Sequence, residues 1–271
     1  RRFTLSVGVL ANYNSALNEG IHFYPGIDAS YRIGDNFRLY GSWNRALRMP
    51  TFTDLYYEGK TNKGNPDLKP EESEAFEVGL KYNTYFLRAH IAGFYRKGKN
   101  MIDWVKEKPE DIWESRNLTK VDNLGFETNL SLLPRELGNK RFFIRKIELG
   151  YAFIHQDKDS EGYISNYALD YLKHKFTAQL SHSIWKGFSA TWYVRWQDRA
   201  GSYTKYENLK PAYEEPYAPY CLVDMKVNWE YQRLNLYAEL NNLLNSTYYD
   251  LGNIPQPGIW FKAGLRYSFK Y

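Results

Sequence analysis

Residues 64–82 read GNPDLKPEESEAFEVGLKY, and the two halves obey different rules. The first is a cluster of turn formers and charges. The second alternates, with Phe76, Val78, Leu80 and Tyr82 on one parity and Glu77, Gly79 and Lys81 on the other. Strict alternation is the signature of a β-strand with one apolar and one polar face. Pro66 and Pro70 fix φ and carry no N–H, so the segment before Glu71 cannot extend a ladder, and Asn65 ahead of Pro66 is held extended. A polar loop therefore runs directly into a two-faced strand.

The same period recurs outward from this point. In 188–197, Phe188, Ala190, Trp192, Val194 and Trp196 oppose Ser189, Thr191, Tyr193, Arg195 and Gln197. In 222–231, Val223, Met225, Val227, Trp229 and Tyr231 oppose Asp224, Lys226, Asn228 and Glu230. In 261–271, Phe261, Ala263, Leu265, Tyr267, Phe269 and Tyr271 oppose Lys262, Gly264, Arg266, Ser268 and Lys270. Twelve strands are expected, near 3–13, 21–33, 36–46, 73–84, 85–106 (bent at Gly98), 112–133, 146–157, 171–185, 188–199, 219–231, 233–244 and 257–271. Short turns at 33–36, 83–84, 186–187 and 231–233 alternate with long connections at 47–72, 106–112, 157–170, 199–218 and 244–257.

Periodicity alone fits a soluble β-sandwich and an outer-membrane barrel equally. Three features favour the barrel. Strands of soluble proteins run about five or six residues, whereas an oblique membrane crossing takes roughly 9–11. The polar parity is charged throughout, with Glu77, Lys81, Arg88, His90, Glu127, Lys175, Arg195, Asp224, Lys226, Glu239, Lys262 and Arg266. Aromatics gather at strand ends, as at Tyr82 and Tyr85, Trp185 and Phe188, and Trp229 and Tyr231, where an interfacial girdle lies. The expected fold is all-β, an antiparallel up-and-down transmembrane β-barrel. Trp192, Val194, Phe261 and Leu265 are assigned to lipid, and Arg195, Lys262 and Arg266 to the lumen.

Composition agrees. The chain has 271 residues with 25% charged and 18% aromatic, 25 of them Tyr, and a mean hydropathy of −0.64. No run of about 18 apolar residues suggests a transmembrane helix. The opening RRFTLSVGVLANYN alternates at once and carries no signal-peptide core. The lone Cys221 allows no internal disulfide. A net charge of +5, with basic and acidic residues interspersed, argues against a nucleic-acid patch.

Catalytic and metal chemistry find no support in the spacing. His22, His90, His155, His174 and His182 show no HExxH or Cys spacing, so no metal site is expected. His182 and Ser183 are adjacent on a strand and point to opposite faces, so they cannot act as base and nucleophile. RKGKN (96–100) lacks the phosphate-loop pattern. Asp157, Asp159 and Glu161 mimic the start of a calcium loop without its glycine or terminal glutamate.

With the strands in place, LYGSWNRALRMPTFTDLYY (39–57) followed by 64–82 resembles the signature region of TonB-dependent outer-membrane receptors. Arg48, Met49, Pro50 and Thr51 carry an Arg-x-Pro-Thr element, with Met where a small residue is commoner. Gly64, Asn65, Pro66, Leu68, Pro70 and Glu71 carry the second element. LYAELNNLLNSTYYD (236–250), Pro257-Gly258 and FKAGLRYSF (261–269) resemble the last hairpin of such receptors. The resemblance implies a barrel of about 22 strands around a plug, of which about twelve stand here as one domain, 1–271, with the plug and TonB box outside this chain. Residues 3–13 are accordingly expected not to pair with 258–271. Within the family, the stretch 36–105 most resembles vitamin B12 (cobalamin) receptors of the Bacteroides type. Iron-siderophore and haem receptors share the motifs, and a complete small barrel (a pore or phospholipase) or a soluble lectin-like binding module are the other classes.

The function implied is active uptake of a scarce nutrient, with no enzymatic step and no cofactor. The partners implied are membrane lipid, a small-molecule nutrient, the rest of the barrel and its plug, the TonB complex through the N-terminal region, and a surface lipoprotein. Loop aromatics supply rigid area with a polar edge, which singles out the pairs Tyr56 and Tyr57, Trp104 and Trp113, Tyr203 and Tyr206, Tyr213 and Tyr217, and Tyr248 and Tyr249; of these, Tyr56, Tyr57, Trp104, Trp113, Tyr203, Tyr206, Tyr213 and Tyr249 are the expected ligand contacts. The signature motif itself is expected to shape its loop rather than touch ligand.

Overall fold

The structure is a computed structural model that describes residues 2–14, 20–108, 110–159, 162–165, 171–207, 210–252 and 254–269. The elements, in chain order, are β1 (Phe3–Tyr13), β2 (Ile21–Ile33), β3 (Phe37–Arg48), helix α1 (Phe52–Tyr56), β4 (Asn62–Lys63), β5 (Glu71–Asn83), β6 (Leu87–Lys106) and β7 (Trp113–Leu132). A 3-10 turn at Pro134–Leu137 precedes β8 (Ile144–Asp159), β9 (Ile164–Ser165), β10 (Leu172–Trp185) and β11 (Phe188–Arg199). The rest are β12 (Ser202–Glu207), β13 (Lys210–Pro216), β14 (Tyr220–Tyr231), β15 (Leu234–Asn241), β16 (Tyr249–Leu251), β17 (Ile254–Pro255) and β18 (Trp260–Tyr267).

Hydrogen-bonded neighbours follow the chain: β1-β2-β3-β5-β6-β7-β8-β10-β11-β14-β15-β18. They correspond to the twelve expected strands, the last one shorter than 257–271 at Trp260–Tyr267, with residues 270 and 271 outside the described residues. β1 and β18 stand at the two ends of the order, so the described residues form only part of a barrel. No described helix is long and apolar enough to cross a membrane. The crossings belong to strands.

The chain divides into two compact units. In the first (1–81, 91–126 and 154–171), register puts like with like. Val7 faces Ile27, which faces Trp43, while Leu5 faces Ala29, which faces Gly41. These apolar residues stay on the surface, with Val7 65% exposed. Such a face in water would be a large aggregation-prone patch; against hydrocarbon it is matched. Val105, Leu118 and Ser115 are instead buried where β6 and β7 extend past the crossing length and receive the loops, while Ala92 is buried within the crossing part of β6.

In the second unit (82–90, 127–153 and 172–271), Leu180 faces Trp192, which faces Met225, and Ala178 faces Val194, which faces Val223. Leu236 faces Leu265 and Leu240 faces Phe261. Thus Trp192, Val194, Phe261 and Leu265 all lie on the apolar parity, and Leu265 is 70% exposed. The opposite parity is laced by charge. Glu239 on β15 pairs with Lys226 of β14 at 2.7 Å and Lys262 of β18 at 2.5 Å. Cross-strand opposite charges of this kind fix register.

Two glycines on the polar face serve close approach. A Cβ at Gly264 would lie 2.5 Å from the Tyr237 hydroxyl on the adjacent strand, and one at Gly79 would lie 2.5 Å from that of Tyr40. Each tyrosine ring covers its glycine, supplying the packing surface the glycine lacks.

Several boundaries differ from expectation. β5 begins at Glu71, two residues early, where the Glu71 carboxylate is held by Arg48 and by Ile102 N–H. β15 ends at Asn241, three residues early, because Asn242 turns left-handed (φ 51°). β6 is one strand as expected, but the left-handed residue is Asn100 (φ 53°) rather than Gly98. Gly98 answers a different need, since a Cβ there would meet Val121 O at 2.8 Å. The long connections also hold ordered structure: α1 and β4 lie in 47–72, and the β12–β13 hairpin in 199–218.

Candidate functional site

The signature segment of the first unit builds a fixed loop. Thr51 caps α1: its hydroxyl accepts from Asp54 N, while the Asp54 carboxylate accepts from Thr51 N at 3.0 Å. This reciprocal pair satisfies the open amides of a very short helix. Gly64 packs on the backbone just past the capped turn, where a Cβ would lie 2.8 Å from Leu55 C. Gly64 N donates to Tyr57 O and Asn65 N to Asp54 O. The Asn65 side chain accepts from Asp67 N at 2.9 Å, a local turn of the kind Asn and Asp favour.

The two halves of the signature then close on each other. Arg48, from the first element, grips Glu71, from the second, through two guanidinium–carboxylate hydrogen bonds. Glu71 is buried and also accepts from Ile102 N at 2.8 Å. Asn117 on β7 completes the lock. Its amide accepts from Lys69 N at 2.8 Å and donates to Lys69 O and Asn100 O at 2.9 and 2.7 Å. The motif residues are spent on backbone and on each other, as expected of a loop-shaping device.

What this loop presents is aromatic. Phe52 and Tyr56 form an exposed pair with centroids 6.0 Å apart. Tyr57 meets the buried Trp104 edge-on at 6.4 Å. Close by in the same unit is a cavity of about 220 Å³, lined by Val105, Lys106, Glu107, Asp111, Ile112, Glu114, Arg116 and Tyr163. Arg116 pairs with Glu114 at 2.9 Å, donates to the Tyr163 hydroxyl and lies 4.9 Å over its ring. Lys106 sits 4.5 Å over the Trp113 ring. The β9 segment lies on β6, Val105 opposite Ser165, with Ser165 bonded to the buried Asp103, which holds Tyr163 at the cavity.

The second unit carries a separate aromatic cluster. Tyr203 of β12 stacks on Tyr249 at 5.1 Å and meets Tyr217 at 5.2 Å. Tyr217 hydroxyl accepts from Gly252 N at 2.9 Å, and the Arg199 guanidinium lies 5.6 Å over its ring. Burial is the main cause that raises the Tyr203 pKa. Lys205 pairs with Glu215 at 2.7 Å and lies 5.6 Å over Tyr213; the bond to Glu215 holds its pKa above the ordinary lysine value. Tyr248 turns away from this group to Tyr220, 4.6 Å distant. The base of the region is set by Asn242, whose amide donates to Ser246 O and Pro257 O and accepts from Ser246 N.

The sequence-predicted residues therefore regroup. Tyr57 and Trp104 come together, as do Tyr203, Tyr217 and Tyr249. Tyr56 joins Phe52 instead of Tyr57, Trp113 joins Lys106, and Tyr213 joins Lys205. The Tyr206 side chain lies outside the described residues, although its backbone is in β12. Lys106, Arg116, Tyr163 and Asn117 were not anticipated. The alternation of cation and aromatic near 104–116 was the available signal for the first two; Tyr163 is brought in only by the β6–β9 pairing.

Among the described residues no group of three His, Cys, Asp or Glu side chains is placed to hold a metal. Asp157 pairs with Lys120 at 3.6 Å, and Glu161 lies outside the described residues. His90 stands 3.8 Å from Glu127 on the polar parity, and His174 bonds the Tyr151 hydroxyl on the other.

Crossing-length antiparallel strands with one exposed apolar face, one charge-laced face and loops gathered beyond the strand ends define a β-barrel wall of the Gram-negative outer membrane. Residues 2–243 match the family described as TonB dependent receptor-like, beta-barrel, and the chain belongs to that family. It is similar to the vitamin B12 transporter BtuB of Vibrio vulnificus (27% identity over 178 residues, 52% of this chain and 28% of that protein). It is also similar to the ferripyoverdine receptor of Pseudomonas aeruginosa (24% over 252 residues, 87% of this chain and 28% of that protein). A solved structure of a variant ferric enterobactin receptor from Pseudomonas aeruginosa superposes with a TM-score of 0.75 at 20% identity, covering 98% of this chain and 43% of that one. The chain thus spans between a quarter and a third of the length of these two curated relatives, which are a transporter and a receptor, not enzymes.

Proposed function

We propose that this chain is the C-terminal barrel wall of an energy-coupled uptake receptor whose nutrient is cobalamin. The observation that carries the substrate is the charge balance around the loop aromatics. In the 220 Å³ cavity, Lys106 and Arg116 share the lining with three carboxylates, Glu107, Asp111 and Glu114, so the cations are neutralised. An anionic ferric chelate needs uncompensated positive charge; a large neutral ligand rich in amides needs aromatic area and hydrogen-bonding edges. The exposed Tyr56, Tyr57 and Tyr213 supply the second kind of surface, with the buried Trp104 behind Tyr57 and the buried Tyr203 stacked on Tyr249. The similarity to vitamin B12 transporters supports the same choice.

Iron-siderophore uptake is the second reading, favoured by the greater share of the chain matched by the ferripyoverdine receptor. In either case the plug and the TonB contact belong to the receptor's N-terminal region, and a surface lipoprotein is a further partner on the loop side. The deciding experiment uses the full-length receptor in cells lacking other uptake routes, with and without TonB. Radiolabelled cyanocobalamin should bind regardless of TonB and enter only with it. Absence of cobalamin binding, with TonB-dependent entry of ferric enterobactin or pyoverdine, would overturn the assignment.

A further inference from the structure

We propose that Arg2, Arg32, Arg38 and Lys81 form one cationic row on the lumen face of the first unit, and that this row docks an acidic segment of the receptor's own plug. The inference rests on the barrel reading and is independent of the nutrient. All four residues lie at the short-turn end of the unit, at the start of β1, around the turn 34–36 and near the end of β5.

Register builds the row. Arg32 of β2 faces Arg38 of β3 directly. Arg2 takes the next place across β1: Phe3 faces Tyr31, and Arg32 N donates to Arg2 O at 2.7 Å, which carries the same register one residue further. Lys81 of β5 reaches the same face, with Nζ 4.6 Å over the ring of Tyr40, two residues on from Arg38. The row alternates with Tyr31, Ile33, Phe37 and Leu39, which are exposed on the apolar parity, so the cations point away from lipid.

Like charges directly opposite one another weaken a sheet, and the wall offers these no relief. Among the described residues none of the four pairs with a carboxylate. Glu77, four residues before Lys81, accepts from the Tyr40 hydroxyl at 2.8 Å. Asp28, four residues before Arg32, lies between Ser6 and Ser42. Lys226 and Lys262 of the second unit differ in sharing Glu239.

The shape of the row selects the partner. β1, β2, β3 and β5 are successive neighbours, and strands lie about 4.8 Å apart, so the charges extend over about 14 Å. A small anion meets one or two of them. A protein segment meets them all, since carboxylates one helical turn apart are about 5–6 Å apart, close to the strand spacing. The row faces the lumen, which excludes bilayer lipid as the occupant. This chain spans 28% of the vitamin B12 and ferripyoverdine relatives, and on the barrel reading the plug that fills the lumen comes from the remainder.

The test is zero-length carbodiimide coupling of the purified full-length receptor, which joins an amine to a carboxylate in direct contact, followed by peptide mass spectrometry. Heat-modifiable migration on gels reports the barrel separately for each variant. Lys81 should couple to an acidic peptide of the plug. Arg38→Lys keeps the charge and adds an amine, so position 38 should couple to the same peptide. Arg32→Gln with Arg38→Gln keeps Lys81 as reporter and should lower its coupling by roughly three- to tenfold. Lys60→Gln with Lys63→Gln in the signature loop should leave it unchanged. Coupling of Lys81 only within the wall, to Glu77 or Asp28, overturns the proposal. So does plug coupling undiminished in the glutamine variant, or coupling that appears only when the periplasmic domain of TonB is added.

Discussion

Replacing Glu71 with alanine probes the device that orders the signature loop. Glu71 is 7% exposed and accepts from both the Arg48 guanidinium and Ile102 N. Truncation orphans the half-buried backbone N–H of Ile102, which costs up to roughly 1–3 kcal/mol. The Arg48 side chain is 51% exposed, so water recovers most of its interaction and the lost ion pair adds only about 0–1 kcal/mol. The sum, roughly 1–4 kcal/mol, falls on local opening of the loop rather than on the barrel. At a tenfold change per 1.4 kcal/mol, the open population rises by about 5- to 700-fold. Hydrogen exchange of the full-length receptor should show that acceleration in peptides covering 62–72 and 100–104. Peptides covering 220–241 should be unaffected. Glu71→Gln keeps an acceptor for Ile102 N and should fall between. Exchange in the alanine variant equal to wild type, or equal acceleration in β14 and β15, would refute the reasoning.

The other expectations concern the wall and its orientation. Leu265→Arg places a cation on the exposed apolar face and should cost about 2–4 kcal/mol near the bilayer midplane, read by denaturant unfolding in vesicles; a wild-type midpoint would remove Leu265 from lipid. Gly264→Val drives a side chain into the Tyr237 ring and should cost about 1–3 kcal/mol. Most of that should be recovered in a Gly264→Val, Tyr237→Ser double variant, and additive losses would show that the two do not touch. An epitope tag within 202–216 should be accessible on intact cells and one at 186–187 should not; the reverse pattern would invert the topology.

The strands were legible because a barrel wall imposes one rule over many residues. From Phe188 to Gln197 every second side chain meets a different solvent, and no loop or helix imitates that over such a length. Strand ends were less legible because they depend on distant partners. β5 starts at Glu71, where Arg48 and Ile102 hold the carboxylate, and β15 stops at Asn241 because Asn242 turns to bind Ser246 and Pro257.

The site was legible as composition, not as geometry. Pairing loop aromatics by adjacency fails for the same reason that strands alternate: neighbours such as Tyr56 and Tyr57, or Tyr248 and Tyr249, leave the backbone in different directions and find different rings. The β12–β13 hairpin and the parallel contact of β4 with β7 bring residues together across loops whose sequence carries no period. The Thr51–Asp54 capping pair was present in the sequence as a spacing of three and marks α1 directly.

The central claim is that one parity of these strands meets lipid and the other the lumen. Nitroxide scanning of residues 260–267 tests it in the full-length receptor reconstituted in bilayers, after Cys221→Ser removes the one thiol of this chain and any cysteine outside it is replaced likewise. Oxygen accessibility should peak at Phe261, Ala263, Leu265 and Tyr267, and accessibility to a polar nickel chelate should peak at Lys262, Gly264 and Arg266. A profile without two-residue alternation, or with the two reagents exchanged, would contradict the account.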